Sequence, residues 1–372
     1  MKKILIPSFL ALGALLLVSC DNKIEYQNNL DKYVLNNIEN KKAIIPAYED
    51  GFKILQLTDI HFSTSTDIIE SKKYLKNLIS EVKKHTNNQI DLIEITGDSF
   101  MLSNTKTVES LLEILEEFKI PYATTWGNHD NQGNYNPSWL RKKYVEAKHS
   151  LYYEVLNDNL SGRSNYVLNL EKNNEVKWQI FHIDSGASYR ESGLDLKFTY
   201  EYINKDQLNW LSKIHIDNVP SLAYYHIPGI DFSSLLEETK DTAKFFKFEG
   251  PSSSKCADAL KLEEVFKENN IVASFMGHDH NNDLTFTSKN GLIYGYGVKT
   301  GKELYYKNIN YNELSEGENA YQINSIINEG EEFDLIGASL VTLHDNGTID
   351  LEHLYYNEGT NENFVRWVKY ND

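Results

Sequence analysis

Five short runs in this chain gather histidines, carboxylates and glycines. They are Asp59 and His61 in LTDIHF, Gly97 and Asp98 in ITGDSF, and Gly127, Asn128, His129 and Asp130 in TWGNHD, followed by His226 in AYYHIPG and Gly277, His278, Asp279 and His280 in MGHDHN. A mixed set of imidazole nitrogens and carboxylate oxygens suits first-row divalent ions such as Mn, Fe or Zn better than Mg alone. In Asp59-x-His61 and His278-x-His280 the paired side chains point the same way while the backbone stays extended, so each pair leaving a strand can converge on one or two ions. A glycine directly before Asp98, Asn128 and His278 lets the backbone turn sharply and come close to a cation. Taken singly, each run is weak: D-x-H is common on surfaces, a lone histidine is usually a satisfied core residue, and GNHD alone reads as a turn. All of them in this order, each after an apolar segment, point to one cation-binding crevice.

The elements that must position these residues follow from periodicity. Ile54 to Leu57, Leu92 to Ile95 and the stretch around Tyr122 to Thr125 predict strands. Between them, Ile68, Ile69, Leu75, Leu78, Ile79 and Val82, and then Val108, Leu111, Leu112, Leu115 and Phe118, recur at helical spacing. This βαβαβ order implies a largely parallel sheet, whose ligands bind beyond the carboxyl ends of its strands. Trp178 to Ile183, Ser221 to Tyr225 and Ile271 to Met276 predict further strands. Asp50–Gly51, Asn290–Gly291 and Asn346–Gly347 each read as a hairpin turn. The expected fold is a four-layer αββα sandwich of two mixed β-sheets packed face to face with helices outside. The polar segment from Ser233 to Asp258 reads as an excursion from that core and a candidate lid.

The 372 residues are 41% hydrophobic and 24% charged, the balance of a globular protein with a large core. The start, MKKILIPSFLALGALLLVSC, has two lysines, an apolar run too short to cross a bilayer, and Cys20 in a Leu-Val-Ser-Cys sequence that resembles a bacterial lipobox. The expected organisation is a signal peptide over 1–19, a lipidated Cys20 with a polar tether over 20–41, and a catalytic domain over 42–372. Membrane attachment through that lipid and an extracytoplasmic location follow. Cys256 is the one other cysteine, so a lipidated Cys20 leaves no intramolecular disulfide. Loss of Lys2 and Lys3 with the signal would move the net charge from −17 to −19. So acidic a chain disfavours long nucleic acid as a partner, because phosphate backbones are gripped by clustered Lys and Arg. No protein partner is implied.

The series D-x-H, G-D, G-N-H-D, H and G-H-D-H resembles the calcineurin-like metallophosphoesterase superfamily from about residue 50 onward. The resemblance implies a metallo-dependent phosphatase-like sandwich in which Asp59, His61 and His280 hold one metal, Asn128, His226 and His278 the other, and Asp98 bridges them. HIPG at His226, DSG at Asp184 and YGVKTG from Tyr296 to Gly301 are similar to the branch related to purple acid phosphatases. Those enzymes place a metal-binding tyrosine three residues after the bridging aspartate. Met101 stands there in this chain, so neither the purple charge-transfer colour nor an Fe(III) site is implied. Asp130 occupies a place where many relatives carry glutamate.

The implied reaction is hydrolysis of phosphate mono- or diesters by a hydroxide shared between two divalent transition-metal ions, which also shield the phosphoryl oxygens. His129 is cast as the group that stabilises or protonates the leaving oxygen, with Asp130 orienting its ring. Lys299 is a candidate phosphate contact. Arg190, Tyr224, Tyr225 and His182 are weaker pocket candidates, since aromatics beside a strand are usually core. The expected substrates are small extracytoplasmic phosphate compounds such as nucleotides. The alternatives are a nuclease or cyclic-phosphate phosphodiesterase, and a non-catalytic surface lipoprotein that uses the fold for binding.

Overall fold

Strand and helix alternate from β1 onward, as the periodicity predicts. The computed structural model describes residues 42 and 44–370, except 64–67, 102, 131, 133–136, 154–159, 191–197, 240–242, 248–249, 257–258, 303–308, 311–331 and 360–361. Cys20, the expected signal peptide and the tether lie outside the described residues. In chain order the elements begin β1 (Phe52–Leu57), α1 (Ile68–His85), β2 (Leu92–Thr96), α2 (Thr105–Phe118), β3 (Tyr122–Thr125) and α3 (Pro137–Glu146). Next come β4 (Tyr166–Lys172), β5 (Glu175–His182), β6 (Ser188–Arg190), β7 (Phe198–Tyr200), α4 (Lys205–Ile214), β8 (Ser221–Tyr224), α5 (Phe232–Glu238), β9 (Lys244–Lys247) and α6 (Glu263–Glu268). The chain closes with β10 (Ile271–Met276), β11 (Asp283–Thr287), β12 (Ile293–Tyr296), β13 (Ile309–Asn310), β14 (Glu332–Phe333), β15 (Gly337–Leu343), β16 (Ile349–Asn357) and β17 (Phe364–Lys369).

The first helices form where apolar residues recur every three or four positions. Tyr74, Leu75, Leu78, Ile79 and Val82 of α1 are buried, and Glu70 in its first turn with Lys83, Lys84 and His85 in its last complement the helix dipole. A capping box starts α2: Asn104 Oδ1 accepts from Thr107 N (3.1 Å), and Thr107 Oγ1 accepts from Asn104 N (3.2 Å).

Two mixed sheets result, in the orders β17-β16-β15-β1-β2-β3 and β4-β5-β8-β10-β12-β11-β9. β1, β2 and β3 run parallel, as do β5, β8, β10 and β12, with antiparallel strands at the flanks. The two-residue period of a strand sorts the second sheet's side chains. Leu222 and Tyr224 of β8 and Ala273 and Phe275 of β10 join the apolar cluster that also holds Ile93, Ile95 and residues of α1, α2 and α3. Their neighbours Ala223, Tyr225 and Met276 pack instead with Leu208 and Leu211 of α4, Phe232 of α5 and Phe266 of α6. Helices thus flank both sheets, and each fully buried Leu or Phe contributes roughly 1.5–3 kcal/mol.

The hairpins at Asn290–Gly291 (β11 to β12) and Asn346–Gly347 (β15 to β16) form, with φ of 87° at Gly291 and 79° at Gly347. The hairpin expected at Asp50–Gly51 does not, because β15 and β2 already occupy both edges of β1. The chain turns there without a partner strand before it. The Ser233–Asp258 segment is no simple excursion either: its β9 adds an edge strand to the second sheet by pairing with β11. His182 is not a pocket residue but an inter-sheet one, its Nε2 lying 2.9 Å from Glu94 Oε2 with both side chains buried. Tyr224 and Tyr225 are core residues. Among the described residues no helix is long and apolar enough to cross a membrane.

Candidate metal centre

The parallel strands of both sheets bring their carboxyl ends to one rim. Asp59, Asp98, Asn128, His226 and His278 lie two or three residues past the ends of β1, β2, β3, β8 and β10. Asp59, His61 and His280 form one group able to hold a cation, and Asp98, His226 and His278 form another. In the first, His280 Nε2 lies 2.9 Å from His61 Nε2 and 3.3 Å from Asp59 Oδ1. Asp98 Oδ2 lies 3.2 Å from His226 Nε2 and 3.6 Å from His61 Nε2, so one carboxylate oxygen reaches both groups.

Hydrogen bonds to the outer atoms aim the inner ones. Asp59 Oδ2 accepts from Thr58 Oγ1 (2.8 Å) and His278 N (3.0 Å), and Asp98 Oδ1 accepts from His129 N (2.7 Å). His226 Nδ1 donates to the Thr96 carbonyl (2.9 Å), which turns Nε2 toward the carboxylates. What remains is a set of buried polar atoms that make no hydrogen bond: Asp59 Oδ1, Asn128 Oδ1, His226 Nε2 and His278 Nε2. Buried acceptors without donors cost about 1–3 kcal/mol each, and a shared pair of cations is what such a donor set fits.

Backbone strain is concentrated here. Asp59, His61, Asp98 and His278 take left-handed φ values of 50°, 50°, 48° and 78°, a conformation that stores energy and persists at functional sites where surrounding contacts enforce it. This corrects the expectation that the D-x-H and H-x-H pairs converge along extended backbone. β1 has ended at Leu57, and Asp59 N and His61 N bond to the Gly97 and Asp98 carbonyls of the neighbouring loop. Crowding explains the glycine before His278: a β-carbon on Gly277 would stand 2.0 Å from Thr58 Oγ1 and 2.6 Å from Asp59 Oδ2.

Electrostatics follow from burial and proximity. Burial holds the His61 and His278 rings down to about 4, so both stay neutral with lone pairs available. For Asp59 and Asp98 burial acts upward, but the imidazoles of His226, His280 and His61 prevail and keep both carboxylates ionised.

His129 lies edge-on to His61, with ring centroids 5.2 Å apart. Its Nδ1 meets Gln132 Oε1 at 3.0 Å, and Gln132 Nε2 donates to the Asn128 carbonyl (3.2 Å). Asp130 therefore does not orient the ring: its Oδ1 accepts from Ser99 N (2.9 Å) and its Oδ2 from Gly127 N (2.8 Å). Buried beside Asp98, its carboxyl is pushed up to about 8, first by desolvation. Asp130 braces the GNHD turn against the GDSF loop. Lys299 is likewise corrected as a phosphate contact: it is 3% exposed and its Nζ donates to the Asp59 carbonyl (2.7 Å). Together with Gly301, whose N also bonds Asp59 O, it makes YGVKTG a strap behind the D-x-H loop. Ser185 of DSG performs the same service for His226, its Oγ accepting from the backbone of His226 and Ile227. Gln132 was missed because a glutamine three residues after a histidine is no signal until the turn is known.

The family model for calcineurin-like phosphoesterases matches residues 52–282. The chain belongs to this family. Membership makes it a phosphoric ester hydrolase of a family that is dinuclear metal-dependent and acts on small phosphate esters. It is similar to a probable inactive purple acid phosphatase of Arabidopsis thaliana, 28% identical over 69% of this chain and 72% of that one. It is also similar to a phosphatase of Saccharomyces cerevisiae (24% identical; 67% of this chain, 48% of that one). A probable cyclic nucleotide phosphodiesterase of Fibrobacter succinogenes is 22% identical over 70% of this chain and 82% of that one. As a calcineurin-like phosphoesterase, the chain would hold its two ions with the converging residues described above.

Proposed function

We propose that this phosphoesterase cleaves small extracytoplasmic phosphate mono- or diesters, nucleotides among them, while tethered to a bacterial membrane through lipid on Cys20. The observation that carries the catalytic part is Asp98, whose one carboxylate oxygen lies within reach of both imidazole groups, while buried polar atoms on four other loops at the same rim make no hydrogen bond. Asp59, His61 and His280 would hold one cation and Asn128, His226 and His278 the other, with Asp98 within reach of both groups. Two divalent ions bound there, Mn, Fe or Zn by the donor set, supply an activated water and neutralise charge at phosphorus.

The protein's own groups do the remainder. Gln132 fixes His129 by its Nδ1, leaving Nε2 to protonate the oxygen that departs. Asp130 holds the turn carrying Asn128 and His129 rigid, so the proton donor keeps its place relative to Asp98. The Arabidopsis relative is named a probable inactive enzyme, yet a scaffold kept only for binding has no use for His129 beside a filled set of metal-binding positions. The test is a phosphate-release panel of nucleotides, sugar phosphates and diesters, run with each metal after chelation. A chain that takes up one transition metal or none at saturation and releases no phosphate from any ester would refute the reading. Release from cyclic or bis-esters alone would shift it to a phosphodiesterase, the activity named for the Fibrobacter relative. Mass spectrometry of the mature N-terminus tests anchorage: an unmodified Cys20 rules the tether out.

A further inference from the structure

One buried hydroxyl touches both halves of the centre. Thr58 Oγ1 lies 2.8 Å from Asp59 Oδ2 and 2.8 Å from the Thr96 carbonyl oxygen. Asp59 belongs to the first cation group; the Thr96 carbonyl accepts from Nδ1 of His226 (2.9 Å), which belongs to the second. A hydroxyl owns one hydrogen. A carboxylate and a carbonyl can each only accept it, so what one receives depends on the other.

The hydroxyl is held in place. Thr58 is fully buried, and its backbone is clamped on both sides: Thr58 N donates to Thr300 Oγ1 (3.0 Å), and Thr300 N donates to the Thr58 carbonyl (2.8 Å). Branching at the β-carbon restricts χ1. A β-carbon on Gly277 would stand 2.0 Å from Thr58 Oγ1 and 3.0 Å from the Thr96 carbonyl oxygen, so the bare glycine is what leaves room for both. Gln56 Nε2 in turn holds the Thr96 side chain by donating to its Oγ1 (3.0 Å). Asp59 Oδ2 also accepts from His278 N (3.0 Å), a backbone donor on a residue of the second group.

We propose that Thr58 is a positioning residue that couples the two cation sites, its single hydroxyl hydrogen shared between the carboxylate of Asp59 and the carbonyl that orients His226. The inference rests on the dinuclear reading above. Asp98 joins the two groups through the oxygen that lies among their imidazoles; Thr58 joins them through the outer atoms of Asp59 and His226. Removing the hydroxyl leaves Asp59 Oδ2 its backbone donor and the Thr96 carbonyl its imidazole, but each loses a partner at the same moment. Outer partners of metal ligands are worth about 10- to 100-fold in affinity.

The experiment titrates the chelator-stripped chain with Zn or Mn by calorimetry, for parent, Thr58→Val, Thr58→Ala and Thr58→Ser, with ions per chain counted by elemental analysis. Valine exchanges hydroxyl for methyl at nearly constant volume. Serine differs from alanine by the hydroxyl alone, so the Ser and Ala pair decides the matter if Thr58→Val does not fold. Thr58→Val and Thr58→Ala should weaken both ions by about tenfold or more, and Thr58→Ser should bind both like the parent. A loss confined to one ion would overturn the coupling. Thr58→Ser as impaired as Thr58→Ala, or equal affinities in all four proteins, would overturn the role of the hydroxyl. A parent that takes up one ion or none would refute the dinuclear reading itself, and the inference would fall with it.

Discussion

Replacing Gly127 by alanine probes how tightly the bridging carboxylate is packed. An alanine β-carbon there would stand 2.2 Å from Asp98 Oδ1 and 2.4 Å from Asp98 N. Ordinary contact needs about 3.5 Å, so Asp98 must retreat by more than about an ångström. Rotating the side chain cannot relieve the clash with the backbone nitrogen, and the Gly127 side is equally fixed, because Gly127 N donates to buried Asp130. A displacement of that size in a catalytic constellation costs about 10²-fold in rate, or about 2.7 kcal/mol of barrier. Because one oxygen of Asp98 reaches both groups, both metals should weaken together. The assay is kcat with an aryl phosphate beside metal content by elemental analysis and the thermal melting curve. Gly291→Ala is the control: its φ of 87° makes alanine costly by about 1 kcal/mol, but nothing lies within 4 Å of the new carbon, so it should melt earlier and keep its metals. A Gly127→Ala variant that binds two ions and turns over at the parent rate would refute the packing argument and the bridging position of Asp98 with it.

His129→Ala should retain both metals and lose about 10²- to 10⁴-fold in kcat, the usual share of a proton donor; unchanged rates across several leaving groups would make the ring a bystander. Gln132→Leu removes the partner of His129 Nδ1, so a smaller loss of kcat should come with a displaced pH–rate profile, and a loss without that displacement would point to local structure instead. Chelation should abolish activity and lower the melting temperature, since cations that bind only the folded chain stabilise it by mass action, and Mn, Fe or Zn should restore both. Away from the centre, Glu358 bonds Lys302 Nζ (2.9 Å) and Asn77 Nδ2 (2.8 Å). Burial acts upward on its carboxyl, but Lys302 and Asn77 prevail and lower it from 4.5. A depressed folded value means the stabilisation is present above the ordinary value and fades as pH falls through the folded one. Glu358→Gln should therefore cost about 0.5–1 kcal/mol at pH 7 and little near pH 3 in urea melts, and an equal penalty at both would contradict the assignment.

Local pattern alone carried much of this protein. Apolar periodicity marks β1, α1, β2, α2 and β3, because period two and period 3.6 are properties of short windows. The metal-binding runs are legible for a related reason: each follows a parallel strand, and parallel strands deliver their carboxyl ends to one rim. What pattern could not decide is how loops distant in sequence lock together. Lys299 bonds a carbonyl 240 residues away, Asp130 spends both oxygens on backbone amides, and Gln132 instead of Asp130 holds His129. The left-handed turns at Asp59, His61, Asp98 and His278 arise from bonds between neighbouring loops, not from their own propensities. Residue types determined which chemistry was available; the contacts among distant loops decided which side chains were aimed at it and which were consumed in holding the others still.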